Sequence, residues 1–516
     1  MSDYILSEKY YLGLDNGGTT TKAALFDEYG NELCVSSMST AMLTPKPNFI
    51  ERDMEDMWIA NCNVIADVIR KSGISPKSIR AVGVCGHGKG LYLWGKNHKP
   101  ARNGIISTDN RAYSYPEQWK KDGTLDCVFP YICQQILSCQ PVSLLAWIRD
   151  YEPEVYQNIE WIFECKDYIR FRLTGEAHAE LTDYSGTGLL NLHTKQYDDR
   201  ILKAFMLTGI SDALPPLCLS TDICGYITPA AAAQTGLMAG TPVSGGMFDI
   251  DACAIASGLT DEHGICVIAG TWSINEYLRR RPVLDGSVRM NSLFCLPEYY
   301  LIEESSPTSA GNNEWFIKQL LPELKQLRKD SKRQLYDEMN AQVAAISPYE
   351  FIPVFLPFIM ASNVHPNAKG SFIGITANHT RWHLLRSVYE GIVFCHRQHI
   401  ERLLASRESA PKYIRLAGGA AQSEVWVQMF ADILQLPIET ICANETGALG
   451  CAIASAVAVG DYKTLKEATE HMCKIQKSVL PRSELCGIYT RKYKLYQETI
   501  GALDCVWNDY QKLIQD

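Results

Sequence analysis

The sequence predicts an α/β protein made of two similar lobes, and three observations support this. First, short β-prone segments near the amino terminus give way to alternating strand and helix patterns, which is typical of α/β layer structures. Second, the same order returns in the second half of the chain, from Gly264 onward. Third, 516 residues exceed one comfortable hydrophobic core, so two or more domains are expected. We predict lobes at residues 1–252 and 253–516.

The composition excludes several classes of protein. With 46% hydrophobic and 21% charged residues, and no apolar run long enough to cross a bilayer, the chain is typical of globular proteins, and we expect no membrane association. The net charge of −9 disfavours a nucleic-acid partner, because phosphate backbones bind basic surfaces. The first residues lack the features of a secretion signal and the 18 cysteines include no CxxC pair, so we expect a cytoplasmic protein with reduced thiols.

The first lobe opens with strands and continues with a helix. Its β-prone segments are Tyr10–Leu14, Thr20–Phe26 and Glu32–Ser37. Turn residues join them, which predicts an antiparallel meander. The next segment has Asp53 as an N-cap, apolar residues at helical spacing and Gly73 as a stop, which predicts a helix. A further strand, Ile79–Cys85, follows it.

The second lobe repeats this order. Gly264–Leu278 ("GICVIAGTWSINEYL") indicates a strand, a Gly-Thr turn and another strand. Two later segments, beginning at Tyr413 and Pro437, each indicate a strand, a glycine-bearing loop and a helix, and the segment from Gly487 indicates an amphipathic terminal helix. Because a hairpin heads each lobe, we expect a cleft in which opposite turns hold one ligand.

The turn of the first hairpin, "DNGGTTTK", has the residues of a phosphate-binding turn. Its glycines allow backbone amides to approach an anion. The hydroxyls of Thr19, Thr20 and Thr21 add donors, and Lys22 adds positive charge. Asp15 would repel a phosphate unless a divalent cation lay between them, so the stretch favours a magnesium nucleotide over a bare phosphate ester. A Gly-Gly turn that only reverses the chain is the alternative.

Two later motifs add complementary features in chain order. Gly270 and Thr271 form the turn of the second predicted hairpin, where a phosphate could bind. Gly418 and Gly419 lie between a predicted strand and a predicted helix, where the backbone can approach a nucleotide closely. Glycines that serve only strand-to-helix packing are the alternative for the second motif.

With these motifs in order, the chain resembles the FGGY carbohydrate kinases, members of the wider actin-like, ribonuclease-H-like ATPase group. Its most specific element is Gly370–Gly391 ("GSFIGITANHTRWHLLRSVYEG"), which matches the carboxy-terminal signature of that family. "PVSGGMFDIDACAIASG" and "KDYIRFRLTGE" resemble two further recurring segments, and the resemblance spans nearly the whole chain. It implies two ribonuclease-H-like lobes that close over ATP, Mg²⁺ and a small polyol or ketose.

The resemblance also implies roles for individual residues. Asp249 is implied as the acceptor of the hydroxyl proton, and Asp15 with Asp249 as the metal-site carboxylates. Asp251 is the competing candidate for the proton acceptor, because on a strand both side chains would point to the same face. The alternative for Asp249 is an aspartate that only forms a turn or caps a helix. The implied phosphate contacts are Thr19, Thr20, Thr21 and Lys22 in one lobe and Gly270 and Thr271 in the other, and the implied nucleoside contacts are Gly418, Gly419, Ala420 and Ser423.

The acceptor is expected at a loop formed by Gly88, Lys89 and Gly90. This "GKGL" loop and the "STDNR" stretch around Asp109 resemble the subgroup that phosphorylates L-xylulose and 3-keto-L-gulonate. The Lys89 ammonium can pair with the carboxylate of an acid sugar, and a surface lysine is the alternative.

We therefore expect an ATP-dependent ketose kinase that gives a sugar 5-phosphate. A kinase for another pentulose, a polyol or a signalling sugar is the neighbouring interpretation. An actin-like nucleotide sensor that transfers no phosphoryl group is the alternative from a different class. Relatives in the family are often dimers, which makes a homodimer an expectation from resemblance alone.

Overall fold

The chain is an α/β protein in the computed structural model, which describes residues 9–327, 332–362 and 364–515. The strands are β1 Tyr10–Asn16, β2 Thr20–Asp27, β3 Glu32–Ser39, β4 Glu51–Arg52, β5 Ile79–Gly86, β6 Tyr92–Gly95, β7 Lys99–Pro100, β8 Gly104–Ile105, β9 Ile159–Phe163, β10 Ala179–Glu180, β11 Leu190–Asn191, β12 Gln196–Tyr197, β13 Leu217–Cys218, β14 Ile223–Tyr226, β15 Pro242–Ser244, β16 Met247–Phe248, β17 Gly264–Ala269, β18 Ser273–Arg279, β19 Met290–Leu293, β20 Tyr300–Ser306, β21 Val354–Leu356, β22 Ser371–Ile373, β23 Tyr413–Ala417, β24 Ile438–Ile441 and β25 Ile475–Val479.

The helices are α1 Met54–Ser72, α2 Ser114–Lys121, α3 Thr124–Ile132, α4 Pro141–Tyr151, α5 Pro153–Gln157, α6 Cys165–Thr174, α7 Leu181–Tyr184, α8 Asp199–Ala204, α9 Pro229–Thr235, α10 Asp249–Ala256, α11 Gly311–Leu320, α12 Pro322–Leu327, α13 Lys332–Ala345, α14 Arg381–Ala405, α15 Glu424–Leu434, α16 Thr446–Ala458, α17 Leu465–Met472 and α18 Cys486–Gln515. No helix in the described part of the chain is long and apolar enough to span a membrane. No cysteine among the described residues forms a disulfide.

These elements form two compact units. The first unit comprises the described residues of Met1–Thr260, Leu278–Ile302 and Ala443–Lys474, and the second comprises those of Asp261–Tyr277, Glu303–Cys442 and Ile475–Asp516. Two segments from the carboxy-terminal half of the chain therefore belong to the first unit, and one of them carries α16 and α17.

A mixed sheet forms the centre of the first unit. Its strand order is β14-β15-β5-β1-β2-β3, and β16 also pairs with β5. The meander β1-β2-β3 is antiparallel, as the sequence predicts, whereas β5 and β16 run parallel to β1. The carboxyl ends of β1, β5 and β16 therefore meet at one edge of the sheet.

Helix α1 begins and ends where the sequence predicts. The Asp53 carboxylate accepts hydrogen bonds from the backbone amides of Glu55 and Asp56, and Gly73 ends the helix in the left-handed conformation at φ 67°. Met57, Trp58 and other apolar residues of one face are buried against the sheet.

Helix α16 packs closely on the other face of this sheet because glycines leave room for it. A β-carbon at Gly13 of β1 would lie 2.0 Å from the carbonyl oxygen of Ala448, and one at Gly83 of β5 would lie 2.6 Å from that of Cys451. Neither position can hold a side chain without displacing the helix. This packing brings the first turn of α16 to Asp15, so that a β-carbon at Gly447 would lie 3.0 Å from Asp15 Oδ2.

A second seven-stranded sheet has the order β19-β20-β18-β17-β23-β24-β25. The hairpin β17-β18 is antiparallel, and β17, β23 and β24 are parallel neighbours. Both patterns confirm the strand-turn-strand and strand-loop-helix predictions for this half. The register pairs Ile268 with Ala417, so the turn after β17 and the glycine loop after β23 lie side by side.

Candidate active site

Three parallel strands bring the polar residues of the first unit together. Asp15 on β1 pairs with Cys85 on β5, and Met247 on β16 pairs with the same Cys85. Asp249 follows the end of β16 directly, as the first residue of α10. Ligands of open α/β sheets bind outside the carboxyl ends of parallel strands. Asp15, the loop after β5 and Asp249 therefore share the edge at which a ligand is expected.

Asp15 lies beside an ion pair. Lys22 is opposite Asp15 in the β1-β2 register, and its Nζ lies 2.7 Å from Glu445 Oε2. Desolvation raises the pKa of Asp15, and the Glu445 charge adds to this effect, while the Lys22 ammonium opposes it. A cation would stabilise the charged form of Asp15. The residue fits Mg²⁺ in its chemistry, since this ion prefers hard oxygen ligands and often takes one or two carboxylates together with phosphate oxygens.

The three threonines of the first turn differ in environment. Thr19 is exposed and Thr20, the first residue of β2, is partly exposed. Thr21 is fully buried and its Oγ1 donates to Asn16 Oδ1 at 3.3 Å. Because side chains alternate along a strand, Thr21 points into the protein rather than toward the turn. Three threonine donors on one ligand were expected, but only Thr19 and Thr20 lie at the turn, and Thr21 does not.

The loop after β5 packs closely against neighbouring residues. A β-carbon at Gly88 would lie 2.7 Å from Asp183 Oδ1 and 2.8 Å from the Phe248 ring, and one at Gly90 would lie 2.7 Å from the carbonyl oxygen of Ile105. Lys89 between them adopts φ 60°, and its Nζ lies 5.9 Å from the Phe248 ring centre. Since Phe248 directly precedes Asp249, the "GKG" loop and Asp249 flank the same aromatic ring.

His87, at the start of this loop, is a buried neutral imidazole. Its Nε2 lies 2.8 Å from the hydroxyl of Tyr92. Burial lowers the pKa of His87 to about 4, and the nearby Arg52 acts in the same direction. The residue is therefore uncharged at neutral pH.

The carboxylate of Asp109 is hydrogen bonded to neighbouring protein groups. Its Oδ2 accepts from the backbone amide of Ile50 at 2.7 Å, and both of its oxygens accept from the Arg111 guanidinium. Arg111 in turn lies 4.2 Å from the centre of the Phe49 ring. The sequence predicts a sugar contact at Asp109, but these contacts occupy its carboxylate, which favours a role in positioning the loop.

Asp249 and Asp251 lie on a helix, so the expectation that they share one face of a strand was wrong. Two residues along a helix differ by about 200° around the axis, so the two side chains leave on different sides. Asp249 is partly exposed at the first position of α10, whereas Asp251 is fully buried. The geometry therefore favours Asp249 as the carboxylate that a substrate can reach.

Two buried acids next to this loop were not predicted from the sequence. Glu164 precedes α6, and Asp183 lies on α7 beneath Gly88. The family-like segment "KDYIRFRLTGE" begins two residues after Glu164 and was the nearest signal. No periodicity or spacing distinguishes these acids from surface acids, because their burial depends on how α6 and α7 pack.

The second unit brings its two glycine motifs into contact. The carbonyl oxygen of Gly270 accepts from the backbone amide of Ala310 at 2.8 Å, which fixes the exposed turn that also contains Thr271. Gly418 adopts φ 85°, and a β-carbon there would lie 2.7 Å from the carbonyl oxygen of Ala269. Only glycine fits this close approach. By contrast, a β-carbon at Gly419 would meet no atom within 4 Å.

A cavity of 380 Å³ opens beside these glycines. Its lining residues are Ala310, Asn313, Glu314, Tyr336, Asn340, Tyr389, Gly419, Gln422, Ser423 and Trp426. Gly419 and Ser423 are thus part of its wall, while Ala420 is fully buried behind them. Tyr389 and Trp426 form a flat stack, with ring centres 4.2 Å apart and planes 10° apart. The volume and the aromatic wall suit a planar heterocycle.

Hydrogen bonds hold the polar residues of this cavity in place. Ser423 Oγ donates to Asn340 Oδ1 at 2.8 Å and accepts from the backbone amide of Trp426 at the start of α15. The hydroxyl of Tyr336 donates to Glu314 at 2.9 Å. The cavity is therefore preorganised before any ligand binds.

Comparisons with known proteins agree with this geometry. Residues 10–256 match the model for the FGGY family of carbohydrate kinases, N-terminal domain, and residues 265–459 match that for the C-terminal domain. The chain is 37% identical over 497 residues to the L-xylulose/3-keto-L-gulonate kinase of Escherichia coli K12, covering 96% of this chain and 97% of the relative. It is 36% identical over 502 residues to a probable L-xylulose kinase of Haemophilus influenzae, covering 96% and 99%.

A solved structure shows the same fold. The xylulose kinase of Rhodospirillum rubrum superposes with a TM-score of 0.82 at 23% identity, over 97% of this chain and 100% of that one.

Proposed function

The chain belongs to the FGGY family of carbohydrate kinases, with their two-domain actin-like ATPase fold, and from this premise we propose that it transfers the γ-phosphoryl group of ATP to the terminal hydroxyl of L-xylulose or 3-keto-L-gulonate. The product is the sugar 5-phosphate. The single observation that carries the proposal is the position of Asp249, partly exposed beside the "GKG" loop at the carboxyl edge of β1, β5 and β16.

Asp249 acts as the proton acceptor in this proposal. The sugar hydroxyl oxygen attacks the γ-phosphorus, the bond from that phosphorus to the bridging oxygen of ADP breaks, and the hydroxyl proton passes to Asp249. Asp15 and Asp249 are the residues that would hold Mg²⁺, which supplies neutralisation of phosphate charge when bound.

ATP takes the cavity of the second unit for its nucleoside. The Tyr389-Trp426 stack offers an aromatic surface for the base, and the exposed backbone of Gly419 allows close approach. Gly270 and Thr271, and in the first unit Thr19, Thr20 and Lys22, are the phosphate contacts. Their exposed or partly exposed positions on tight turns support this assignment.

The sugar takes the loop of Gly88, Lys89 and Gly90. Two observations support an acceptor of the L-xylulose type: the loop lies beside Phe248 and Asp249, and the relatives with 36–37% identity are named for L-xylulose and 3-keto-L-gulonate. Lys89 then supplies a positive charge for the carboxylate of an acid sugar.

The test is ADP release with MgATP against L-xylulose, 3-keto-L-gulonate, D-xylulose, L-ribulose and glycerol, each scored as kcat/KM. We expect preference for the first two sugars. Lys89→Ala should reduce kcat/KM for 3-keto-L-gulonate more than for L-xylulose, whereas Lys96→Ala, at an exposed lysine of the first unit, should change neither. Failure of every sugar to stimulate ADP release would contradict the proposal and favour a nucleotide sensor.

A further inference from the structure

A buried histidine of α14 lies behind the exposed turn at residues 270–271, which we call the second turn. His396 is 0% exposed, and both of its ring nitrogens have hydrogen-bond partners. Its Nδ1 lies 2.8 Å from Asn275 Oδ1 and 3.0 Å from Ser273 Oγ, both on β18. Its Nε2 lies 3.0 Å from Ser309 Oγ, in the loop between β20 and α11. The imidazole therefore joins two segments that are distant in sequence.

The neighbouring groups determine which ring nitrogen carries the proton. Asn275 Nδ2 donates to the carbonyl oxygen of Glu304 at 3.2 Å, which directs the amide oxygen toward His396. Because that oxygen only accepts, Nδ1–H of His396 donates to it, and Nε2 accepts from the Ser309 hydroxyl. Burial, together with the charge of His399, lowers the pKa of His396 to about 3, so the ring is neutral at physiological pH. Each hydrogen bond of the ring therefore has a defined direction.

Both segments that His396 joins also hold the second turn. Ser273 begins the strand that leaves this turn. The backbone amide of Ala310, the residue after Ser309, donates to the carbonyl oxygen of Gly270 at 2.8 Å. On the outer side the turn is open, since a β-carbon at Gly270 would meet no atom within 4 Å. His396 therefore supports the turn from the protein interior and leaves its outer side accessible.

We propose that His396 is a positioning residue for the reaction, and that through Ser273 and Ser309 it holds the second turn in the geometry that binds the phosphates of ATP. This inference rests on the proposed function, which assigns phosphate contacts to that turn. A preorganised site binds more tightly than a mobile one, because less conformational entropy is lost on binding. The fully buried His396 acts through the turn and not on the nucleotide itself. Its effect should therefore be larger for the phosphates than for the nucleoside.

The first test uses His396→Phe, which keeps a ring against Phe430 and removes both nitrogens. Calorimetric titration without sugar measures the affinities for MgATP and for adenosine. We expect the affinity for MgATP to fall about tenfold and that for adenosine by less than about twofold, because only the phosphates reach the second turn. With L-xylulose as acceptor, KM for ATP should rise about tenfold while KM for the sugar is unchanged.

His396→Gln is the conservative variant. Its side-chain amide has a donor and an acceptor, as the neutral imidazole has, so it can restore hydrogen bonds to both segments. We expect the MgATP affinity of this variant to lie closer to that of wild type than to that of His396→Phe.

Ser309→Ala is a milder variant that removes only the donor to Nε2 of His396. We expect it to weaken MgATP binding several-fold. Added to His396→Phe, it should cause little further loss, because the same hydrogen bond is already absent. If His396→Phe does not fold, an unchanged MgATP affinity in folded Ser309→Ala overturns the proposal.

His399→Phe is the matched control on the same helix. His399 is 1% exposed, and its Nε2 lies 2.9 Å from Ser306 Oγ, on β20 rather than at the second turn. We expect this variant to lower the melting temperature and to leave the ratio of MgATP to adenosine affinity unchanged. If it changes that ratio as much as His396→Phe does, or if folded His396→Phe keeps the wild-type ratio, the proposal is wrong.

The proposal and the function beneath it fail differently. Equal ratios of MgATP to adenosine affinity in wild type and His396→Phe, with ADP release still stimulated by sugar, remove the role of His396 and leave the kinase assignment intact. A wild-type protein that does not bind MgATP removes both.

Discussion

The sugar-side site of the first unit and the cavity of the second unit differ in their available space and in the hydrogen bonding of their polar side chains. Around the "GKG" loop, carboxylates such as Asp183 are buried without hydrogen bonds, and glycines leave little space. In the 380 Å³ cavity, polar side chains such as Ser423 are already hydrogen bonded, and an aromatic stack forms a wall. The first site is therefore crowded and acidic, whereas the second has an open volume and an aromatic wall that suit a flat ring. Changes at the two sites should therefore affect different substrates.

The largest effect is expected from Asp249→Asn. The amide cannot take the hydroxyl proton, so kcat should fall by about 10²–10⁴-fold while ATP binding is retained. Steady-state kinetics and calorimetric titration of ATP measure both quantities. Asp285→Asn, at an exposed surface acid, serves as the control. A kcat near that of wild type would remove Asp249 from the role of base.

Matched glycine substitutions should affect the two sites separately. Gly419→Ala meets no atom within 4 Å, so the fold should be unaffected while KM for ATP rises about tenfold through lost close approach. Gly88→Ala should instead raise KM for the sugar, because its β-carbon would displace the Phe248 ring that lies next to Asp249.

Gly418→Ala provides the structural control for this pair. Its φ of 85° and the 2.7 Å contact with Ala269 predict a loss of stability that thermal melting detects. Equal effects of Gly88→Ala and Gly419→Ala on both substrates would contradict the assignment of separate sites.

Each unit also contains a buried histidine with a lowered pKa, about 4 for His87 and about 3 for His396. In the unfolded chain each histidine has a pKa near 6.5, above both folded values. The unfolded state therefore binds protons that the buried histidines do not, so the stability present above pH 6.5 is lost as the pH falls toward 4. For His87 the loss amounts to about 3 kcal/mol.

The variant His87→Gln separates this contribution from that of the buried acids with raised pKa values. Those acids have the opposite effect, because they stabilise the fold as the pH falls. We expect the melting temperature of His87→Gln to gain several degrees relative to wild type between pH 7.5 and pH 4.5. A difference that does not change with pH would show that His87 is not held neutral.

The smallest effect is expected at the ion pair of Lys22 and Glu445. Both side chains are partly exposed, so the pair should stabilise the fold by less than about 1 kcal/mol. Lys22→Met should leave the melting temperature nearly unchanged and raise KM for ATP a few-fold, whereas Glu445→Gln should leave KM for ATP at or below the wild-type value. Equal KM in the two variants would argue against a phosphate contact by Lys22.

Local sequence patterns predicted the elements that local chemistry determines. The Asp53 cap, the Gly73 stop and the strand-turn-strand pattern of Gly264–Leu278 follow from backbone propensities and short-range hydrogen bonds, and all three are confirmed. The same patterns predicted the two glycine turns that now border the candidate sites.

Features that depend on tertiary packing could not be predicted in this way. Asp249 begins a helix directly after a strand of only two residues, Met247–Phe248, and no apolar run reveals where that strand ends. Thr21 is turned inward by the β2 register. Glu164 and Asp183 acquire their buried environment only when α6 and α7 meet the loop after β5.

The most direct test is the fate of the γ-phosphoryl group with L-xylulose as acceptor, measured by phosphorus NMR together with ADP release. We predict one L-xylulose 5-phosphate for each ADP, with no inorganic phosphate above the sugar-free rate. ADP accompanied by inorganic phosphate and no sugar phosphate would contradict transfer to the sugar.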